Sequence, residues 1–450
     1  MFNMDINNII ENFNDYNDMP SIVWNDKTYS YGFLNNCINE NIQLIKSLDI
    51  KIGTVVALEG DFSPTSIGLF FSLIKNKCII VPINRSNNQN VKDLYKIAAV
   101  EFLLTIDDKE KIKTKRIGDR IYNDLYNVIT TNNDPGLVLF TSGTSGVPKA
   151  AVHNFSKLLD KFKIKRQSLR TLNFLLFDHW GGLNTMFHIL SNGGTLISVV
   201  NRSPSSVCKL IEKHRIELLP VSPTFLNLLL VSKEYKNYDL TSLKIISYGT
   251  EPMPEITLKR LNKTFPQVKL LQTYGLIELG VLQSKSKKQD SLWVKVGGEG
   301  YQTRIVDGIL QIKAESAMIG YLNADSPFTD DGWFITGDKV LKKGEYIKIL
   351  GRKSEIINVG GEKVYPQEVE NIILELEEVS DVTVFGEKNP ITGNIVCARL
   401  KPINEMNKRE LIKSVKTHCS KNLQPYKVPI KILIDYNNHH GDRFKKSRGK

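Results

Sequence analysis

Cysteine is scarce in this sequence and follows no pattern typical of a disulfide framework or a zinc site. Five cysteines are spread over 450 residues, and no two of them form a Cys-x-x-Cys pair. Disulfide-rich secreted domains carry dense paired cysteines, and structural zinc sites need closely spaced ones. We therefore expect reduced thiols that serve as ordinary packed side chains, at Cys37, Cys78, Cys208, Cys397 and Cys419.

Long apolar runs are also absent. The longest uncharged apolar stretch, around residues 66–74, is far shorter than the roughly 20 residues that cross a bilayer. The first fifteen residues do not combine a basic segment with an apolar run, so they do not resemble a secretory signal. These absences predict a cytoplasmic protein with no membrane span.

Acidic residues are outnumbered by basic ones, with 48 Asp and Glu against 60 Lys and Arg and a formal net charge of +12. This excess suits an anionic partner such as a nucleotide, a coenzyme, an acidic carrier protein or nucleic acid, and charge alone does not choose among them. The content of 41% hydrophobic and 24% charged residues is that of a globular enzyme, and 450 residues predict two or more domains.

The first three hundred residues are expected to form an α/β fold. Residues 53–84 alternate a β-branched run, a turn, a helical pattern and a second β run, which is how a βαβ unit looks in sequence. The same alternation recurs in residues 137–200 and 215–275. We predict mostly parallel sheets wrapped by helices.

The pattern changes after about residue 293. Short β-like runs follow, with Asp307-Gly308 between two of them as a hairpin signal, and they predict a small antiparallel barrel or sheet. Beyond residue 351 a helix beginning at Pro366, two strands, a helix after Asn407 and a last strand predict a small α+β domain. We expect an N-terminal domain over residues 1–350 and a C-terminal domain over residues 351–450.

A glycine-rich loop follows the buried-strand run at residues 138–140. Residues 141–149 read TSGTSGVPK, with two glycines for a tight loop, four hydroxyls as donors and one lysine as a cation. Backbone N–H groups, hydroxyls and an ammonium together favour a triphosphate cradle over a plain surface loop. The candidate ligands are Thr141, Ser142, Gly143, Thr144, Ser145, Gly146 and Lys149.

This loop closely resembles the signature of the acyl-adenylate-forming enzymes, the superfamily of acyl-CoA synthetases, peptide-synthetase adenylation domains and luciferases. Further segments in the same order strengthen the resemblance: YGTEP at 248–252, YGLIE at 274–278, GWFITGD at 332–338, GRKSEIINVGG at 351–361, YPQEVE at 365–370 and KSRGK at 446–450. It covers the chain from about residue 25 onward.

The resemblance implies activation of a carboxylic acid as an acyl-AMP, with ATP and Mg²⁺, followed by transfer to the thiol of CoA or of a pantetheinylated carrier protein. It assigns the attacking carboxylate to Lys450, Mg²⁺ to Glu278 and the ribose hydroxyls to Asp338. It further implies nucleotide contacts, with Tyr274 stacked on adenine, Arg352 on the ribose or phosphate, and an adenine-side segment that includes Gly249, Thr250 and Glu251. The hinge between the two domains is implied near Ser354.

The resemblance implies that the acyl pocket and the thiol tunnel meet at residues 177–182, which read FDHWGG. In amino-acid-activating relatives an Asp at the place of Asp178 pairs with the substrate ammonium, whereas in acyl- and aryl-CoA ligases the place of His179 gates the pocket. We favour an acid–thiol ligase that forms CoA thioesters, since Gly182 and its small neighbours suit a pantetheine passage. The alternative is an adenylation enzyme that loads a carrier protein.

A second alternative is a non-catalytic adenylate-binding relative, because Ile277 stands where the family usually has Thr or Ser. A nucleic-acid role would depend on the basic tail at residues 443–450, which is more typical of a solvated tail. We therefore expect no nucleic-acid partner.

Overall fold

The computed structural model describes residues 6–84, 91–141 and 147–436. The helices of these residues are α1 (Ile6–Asp15), α2 (Tyr31–Ser47), α3 (Pro64–Lys75), α4 (Val91–Ile97), α5 (Asp124–Thr131), α6 (Phe155–Leu159), α7 (Trp180–Ser191), α8 (Pro204–His214), α9 (Pro223–Ser232), α10 (Glu255–Thr264), α11 (Pro366–Ile373) and α12 (Lys408–Asn422).

The strands up to the end of the parallel sheets are β1 (Pro20–Trp24), β2 (Lys27–Ser30), β3 (Val55–Gly60), β4 (Ile79–Asn84), β5 (Phe102–Ile106), β6 (Ile112–Arg116), β7 (Gly136–Thr141), β8 (Lys149–Asn154), β9 (Arg170–Asn173), β10 (Thr195–Ser198), β11 (Leu218–Val221), β12 (Ile245–Tyr248) and β13 (Lys269–Gln272). The later strands are β14 (Tyr274–Leu276), β15 (Gly280–Ser286), β16 (Val294–Gly297), β17 (Tyr301–Val306), β18 (Ile309–Ala314), β19 (Gly320–Tyr321), β20 (Phe334–Lys343), β21 (Tyr346–Arg352), β22 (Ile357–Val359), β23 (Glu362–Val364), β24 (Val379–Asn389), β25 (Gly393–Pro402) and β26 (Lys431–Ile434).

Two seven-stranded sheets form the larger part of the molecule. One has the order β13-β12-β11-β9-β10-β1-β2 and is parallel except at β1–β2. The other has the order β19-β8-β7-β4-β3-β5-β6, with parallel pairs from β7 to β5 and antiparallel pairs at both edges. The predicted mostly parallel α/β fold is confirmed.

The predicted alternation in residues 137–200 differs from the structure at its start. Strand β8 pairs antiparallel with β7, with Thr141 opposite Lys149, so the glycine-rich loop joins the two strands of a hairpin. The chain therefore enters a strand after this loop, where a βαβ unit would enter a helix.

The main core lies between these two sheets. Residues of α2, α3 and α7 share one buried cluster with Ile22 and Leu196 of the first sheet and Val56 and Leu58 of the second. Helix α3 is buried along almost its whole length, since its sequence is apolar on every face. The segments that follow β7, β9, β12 and β13 carry several of the site residues described below.

A third sheet of seven antiparallel strands, in the order β14-β15-β16-β21-β20-β18-β17, follows the parallel part. It begins at Tyr274, about twenty residues before the predicted change of pattern. The predicted hairpin is confirmed, because Asp307 and Gly308 join β17 to β18 with φ values of 52° and 71°. Such left-handed conformations match the twist of the paired strands.

The last part of the chain forms a smaller α+β unit, in which β24, β25 and β26 pack against α11 and α12. Its contacts with the α9–α10 region include three side-chain amides. Asn227 Nδ2 donates to the Ser380 carbonyl at 2.7 Å, Gln367 Nε2 donates to the Met253 carbonyl at 3.1 Å, and Asn371 Oδ1 accepts from the Glu255 N–H at 3.1 Å. The boundary between residues 350 and 351 remains a prediction. None of the helices in the three described ranges combines the length and apolarity that crossing a bilayer requires.

Candidate functional site

The base of the glycine-rich loop is a strand pair. Thr141 and Lys149 face each other where β7 ends and β8 begins. Asn323 holds the second strand in place, since its Nδ2 donates to the Pro148 carbonyl and its Oδ1 accepts from the Ala150 N–H, both at 2.9 Å. These bonds flank Lys149 on both sides along the chain. The predicted ligands at 142–146 lie outside the described residues, and so does Lys450.

Glu278 lies close to this loop base. Its Oε1 accepts a hydrogen bond of 2.6 Å from the Tyr321 hydroxyl, and its carbonyl accepts one of 2.7 Å from the Met318 N–H. The Lys149 Nζ lies 5.3 Å from the centroid of the Tyr321 ring. The structure thus brings a carboxylate, a phenol and an ammonium together from three separate segments.

Asp338 is the centre of a second polar group. Its side chain is buried, Oδ2 accepts from the Tyr274 hydroxyl at 2.5 Å, and Oδ1 lies 2.9 Å from Arg352 Nε. Arg352 also donates through Nη1 to the Thr336 carbonyl at 2.5 Å. Tyr274 of the YGLIE segment and Arg352 of the GRKSEIINVGG segment therefore both bind the carboxylate of Asp338, which belongs to the GWFITGD segment.

The electrostatics of this group follow from burial. Burial raises the pKa of Asp338, while Arg352 and the Tyr274 hydrogen bond oppose that rise. Burial and then the charge of Asp338 hold the pKa of the Tyr274 hydroxyl well above its usual range. The phenol therefore remains a proton donor to the carboxylate at all ordinary pH values. Stacking of Tyr274 on adenine stays a prediction.

The segment after β12 begins beside β13. Strands β12 and β13 are parallel and end together, so Gly249 lies against Thr273, whose side chain and carbonyl fill the space that a Cβ would need. Thr250 adopts a φ of 72°, a left-handed conformation that is strained for a β-branched residue. Glu251 accepts from the Thr224 N–H at 2.7 Å, at the first turn of α9. Its nucleotide role stays a prediction.

The predicted acyl-pocket residues lie at the start of α7. His179 is the N-cap of this helix, since its Nδ1 accepts from the Gly181 N–H at 3.0 Å. Gly182 packs against the carbonyls of Leu175 and Leu176 so closely that a side chain there would collide with backbone. Local packing thus accounts for the glycine, and its place in a pantetheine passage remains a prediction.

Asp178 is 6% exposed and belongs to a charged group. Burial raises the pKa of Asp61, the charge of Arg202 opposes this rise, and the charge of Asp178 adds to it, so Arg202 and Asp178 both act on Asp61. Arg202 Nη2 lies 3.8 Å from Asp61 Oδ2, and its Nε donates to the Phe174 carbonyl at 2.7 Å. A guanidinium therefore already provides positive charge beside Asp61, the carboxylate that Asp178 influences.

The side chains near the glycine-rich loop fit a Mg²⁺ ion that is bound by one carboxylate together with substrate phosphates. Within the described ranges, no group of three or more His, Cys, Asp or Glu side chains is placed to hold a metal by itself. Mg²⁺ usually takes one or two carboxylates and completes its shell with water and substrate phosphates. Glu278, next to Lys149 across Tyr321, offers such a single carboxylate.

The sequence did not predict a role for two residues of this region. Tyr321 and Asn323 belong to no segment of the family resemblance, and their contacts depend on the pairing of β19 with β8. A Gly-Tyr pair in a polar stretch is too common to have marked them. Ile277, which replaces the usual hydroxyl residue, packs against two apolar clusters.

Comparison with known protein families supports the resemblance. Residues 10–308 match the family described as AMP-binding enzyme, and residues 368–435 match the AMP-binding enzyme C-terminal domain. Among curated relatives, the indoleacetate–CoA ligase of Aromatoleum aromaticum is 30% identical over 297 residues, which are 60% of this chain and 58% of that protein. The long-chain-fatty-acid–CoA ligase FadD13 of Mycobacterium tuberculosis is 26% identical over 459 residues, covering 91% of this chain and 90% of that protein.

Solved structures share the fold. The anthranilate CoA ligase AuaEII in complex with anthranoyl-AMP aligns with a TM-score of 0.83 over 98% of this chain and 95% of that chain, at 17% identity. ATP-bound MatB from Rhodopseudomonas palustris aligns with a TM-score of 0.78 over 96% and 95%, at 19% identity. The predicted superfamily and the predicted two-part α/β fold are confirmed.

Proposed function

This chain belongs to the AMP-binding enzyme family, which matches residues 10–308, and we propose that it is an AMP-forming acid–thiol ligase. In the first step a carboxylate oxygen attacks the α-phosphorus of ATP, forming acyl-AMP and expelling pyrophosphate. In the second step the thiol of CoA attacks the acyl carbon, forming the thioester and releasing AMP and a proton. The names of the curated relatives, which are CoA ligases, support CoA as the acceptor.

The observation that carries the proposal is the buried Asp338 carboxylate, oriented by Tyr274 and Arg352. An ionised carboxylate has about four acceptor positions, so Asp338 keeps capacity for the two ribose hydroxyls. Lys149 neutralises phosphate charge at the base of the glycine-rich loop. Glu278 would hold Mg²⁺, which would supply positive charge against the phosphates.

The two steps act on the same acyl-AMP but need different side chains around it. We assign this change to the C-terminal part, residues 351–450, turning about Ser354. Arg352 supports the assignment, because it is the last residue of β21 and binds Asp338 immediately before the turn at 353–355. In this scheme Lys450 contacts the carboxylate during the first step.

The surroundings of Asp178 support one class of substrate over the other. In an amino-acid-activating enzyme this carboxylate would receive the substrate ammonium, but here Arg202 lies in the same charged group. A second cation would have to enter beside a guanidinium. The arrangement favours a carboxylic acid without an α-amino group, and it disfavours the amino-acid-loading alternative.

Acid-dependent exchange of pyrophosphate into ATP tests the proposal. A panel of fatty, aryl and amino acids should contain a fatty or aryl acid that supports exchange, and adding CoA with that acid should yield its thioester. Exchange without thioester formation would favour a carrier-protein acceptor. Tight ATP binding with no exchange for any acid would instead favour the non-catalytic alternative.

A further inference from the structure

Residues 318–323 tie the two charged parts of the site together through backbone bonds. The Met318 N–H donates to the Glu278 carbonyl at 2.7 Å, and the Ile319 N–H donates to the Val152 carbonyl at 2.7 Å. The Leu322 N–H donates to the Ala150 carbonyl at 2.9 Å. This segment, which we call the 318–323 bridge, therefore fixes the spacing between Glu278 and the start of β8.

Tyr321 is the one residue of the bridge whose side chain contacts both charges of the site. Its hydroxyl donates to Glu278 Oε1 at 2.6 Å, and its ring centroid lies 5.3 Å from the Lys149 ammonium. A phenol with its ordinary pKa of about 10 is protonated at neutral pH, so the hydroxyl is the donor in this bond.

We propose that Tyr321 is a positioning residue that orients the Glu278 carboxylate toward a divalent metal ion and holds the Lys149 ammonium beside it. The proposal rests on the proposed function, because it takes Glu278 as the metal ligand. With Oε1 bound to the phenol, the carboxylate cannot rotate freely, and Oε2 is presented in one direction. The Tyr321 ring attracts the Lys149 ammonium by a cation–π contact and keeps it near the phosphates of the ATP that the proposed function places here.

Removing the hydroxyl alone separates these two effects. Hydrogen-bond partners of metal-ligating carboxylates typically contribute 10- to 100-fold in metal affinity. Tyr321→Phe should therefore weaken Mn²⁺ binding about 10- to 100-fold while leaving the ring under Lys149. Tyr321→Leu should weaken both Mn²⁺ binding and metal-free nucleotide binding, because the ring is lost as well.

The experiment measures Mn²⁺ binding to the full chain in the presence of an α,β-methylene ATP analogue, with electron paramagnetic resonance as the readout. Metal-free binding of the analogue is measured by calorimetry. Tyr31→Phe is the matched control, because it removes a buried hydroxyl that donates to the Gly194 carbonyl at 2.7 Å, on helix α2, which packs against α1, α3, β1 and β2. It should leave Mn²⁺ affinity unchanged.

A double-mutant cycle shows whether Tyr321 acts through Glu278. Glu278→Gln removes the charge but keeps an oxygen that accepts from the phenol, and Tyr321→Phe should cause no further loss of Mn²⁺ affinity in that background. Unchanged affinity in Tyr321→Phe, or an equal loss in both backgrounds, would overturn the proposal. Tyr321→His keeps a ring donor and should bind Mn²⁺ more tightly than Tyr321→Leu; equal affinities would also overturn it.

Failure of the proposed function gives a different result. A wild-type protein that binds Mn²⁺ with the analogue but catalyses no exchange would not be a ligase, and the comparison of variants would still decide the role of Tyr321. A wild-type protein that binds no Mn²⁺ with the analogue would overturn the positioning role directly.

Discussion

The phenol of Tyr274 donates a 2.5 Å hydrogen bond to Asp338, a residue 64 positions further along the chain. Tyr274 begins the first strand of the antiparallel sheet, and Asp338 lies within its strand β20. The bond joins two motifs that the sequence presents separately. Because Arg352 binds the other carboxylate oxygen, the segment predicted to contain the hinge is anchored to the same carboxylate.

Replacing Asp338 should weaken nucleotide binding. Asp338→Asn removes the negative charge beside Arg352 and leaves one position that can no longer accept a hydrogen bond, so we expect at least about a tenfold rise in the Kd for ATP. Calorimetry measures the change.

The matched control for that variant is Asp331→Asn. Asp331 also pairs with an arginine of the antiparallel sheet, Arg304, at 2.7 Å, but its side chain is 59% exposed. Exposed ion pairs are worth about 0–1 kcal/mol, so ATP affinity should remain near that of the wild type. Equal weakening in both variants would remove the ribose assignment of Asp338.

Loss of the Lys149 ammonium should slow adenylation strongly. A charge contact that acts on the transition state is worth about 3 kcal/mol, so Lys149→Met should lower kcat/KM for pyrophosphate exchange by roughly a hundredfold. Lys157→Met is the control, because Lys157 is an exposed lysine in the short helix that follows β8. Comparable activity of the two variants would contradict a phosphate role for Lys149.

Asp178 distinguishes the classes of substrate. If the substrate is an acid without an amino group, Asp178→Asn should change kcat/KM less than about tenfold, because Arg202 remains beside Asp61. An amino-acid substrate would lose the partner of its ammonium, and kcat/KM would fall roughly a hundredfold or more. Kinetics with an acid and its α-amino analogue make the comparison.

A partly buried lysine makes stability depend on pH. Lys161 donates to Asn184 Oδ1 and to the Val281 carbonyl, both at 2.8 Å, and burial, followed by Arg166, lowers its pKa to about 8. Between about pH 8 and the usual lysine pKa near 10.4, the unfolded chain binds more protons at this site than the folded chain does. This site should therefore raise the free energy of unfolding as pH increases through that window.

Urea denaturation at pH 7.5 and pH 10 measures this contribution. The free energy of unfolding should rise less between these two pH values in Lys161→Met than in the wild type, since the variant has no titrating group at this position. Lys163→Met is the control, because Lys163 is paired with Asp160 at 2.8 Å on the surface. An identical rise in wild type and Lys161→Met would show that Lys161 titrates normally.

Much of the fold could be predicted from local patterns. Residues 53–84 form the predicted βαβ unit, and Pro366 begins the predicted helix, because hydrophobic period and turn chemistry act over a few residues. The hairpin at Asp307-Gly308 follows from two residues that tolerate positive φ. The direction of β8 was not predictable, since nothing within the glycine-rich loop distinguishes a return into a strand from entry into a helix.

The sequence by itself determined the family and the identities of the candidate residues, because each family segment is short and contiguous. Only the tertiary structure decided which side chains meet. Tyr321 reaches Glu278 across 43 residues because β19 pairs with β8, and Arg202, which follows β10 of the first sheet, pairs with Asp61, which follows β3 of the second. The physical reason is that sheet order and packing, which depend on the whole chain, set the distances between groups that are remote in sequence.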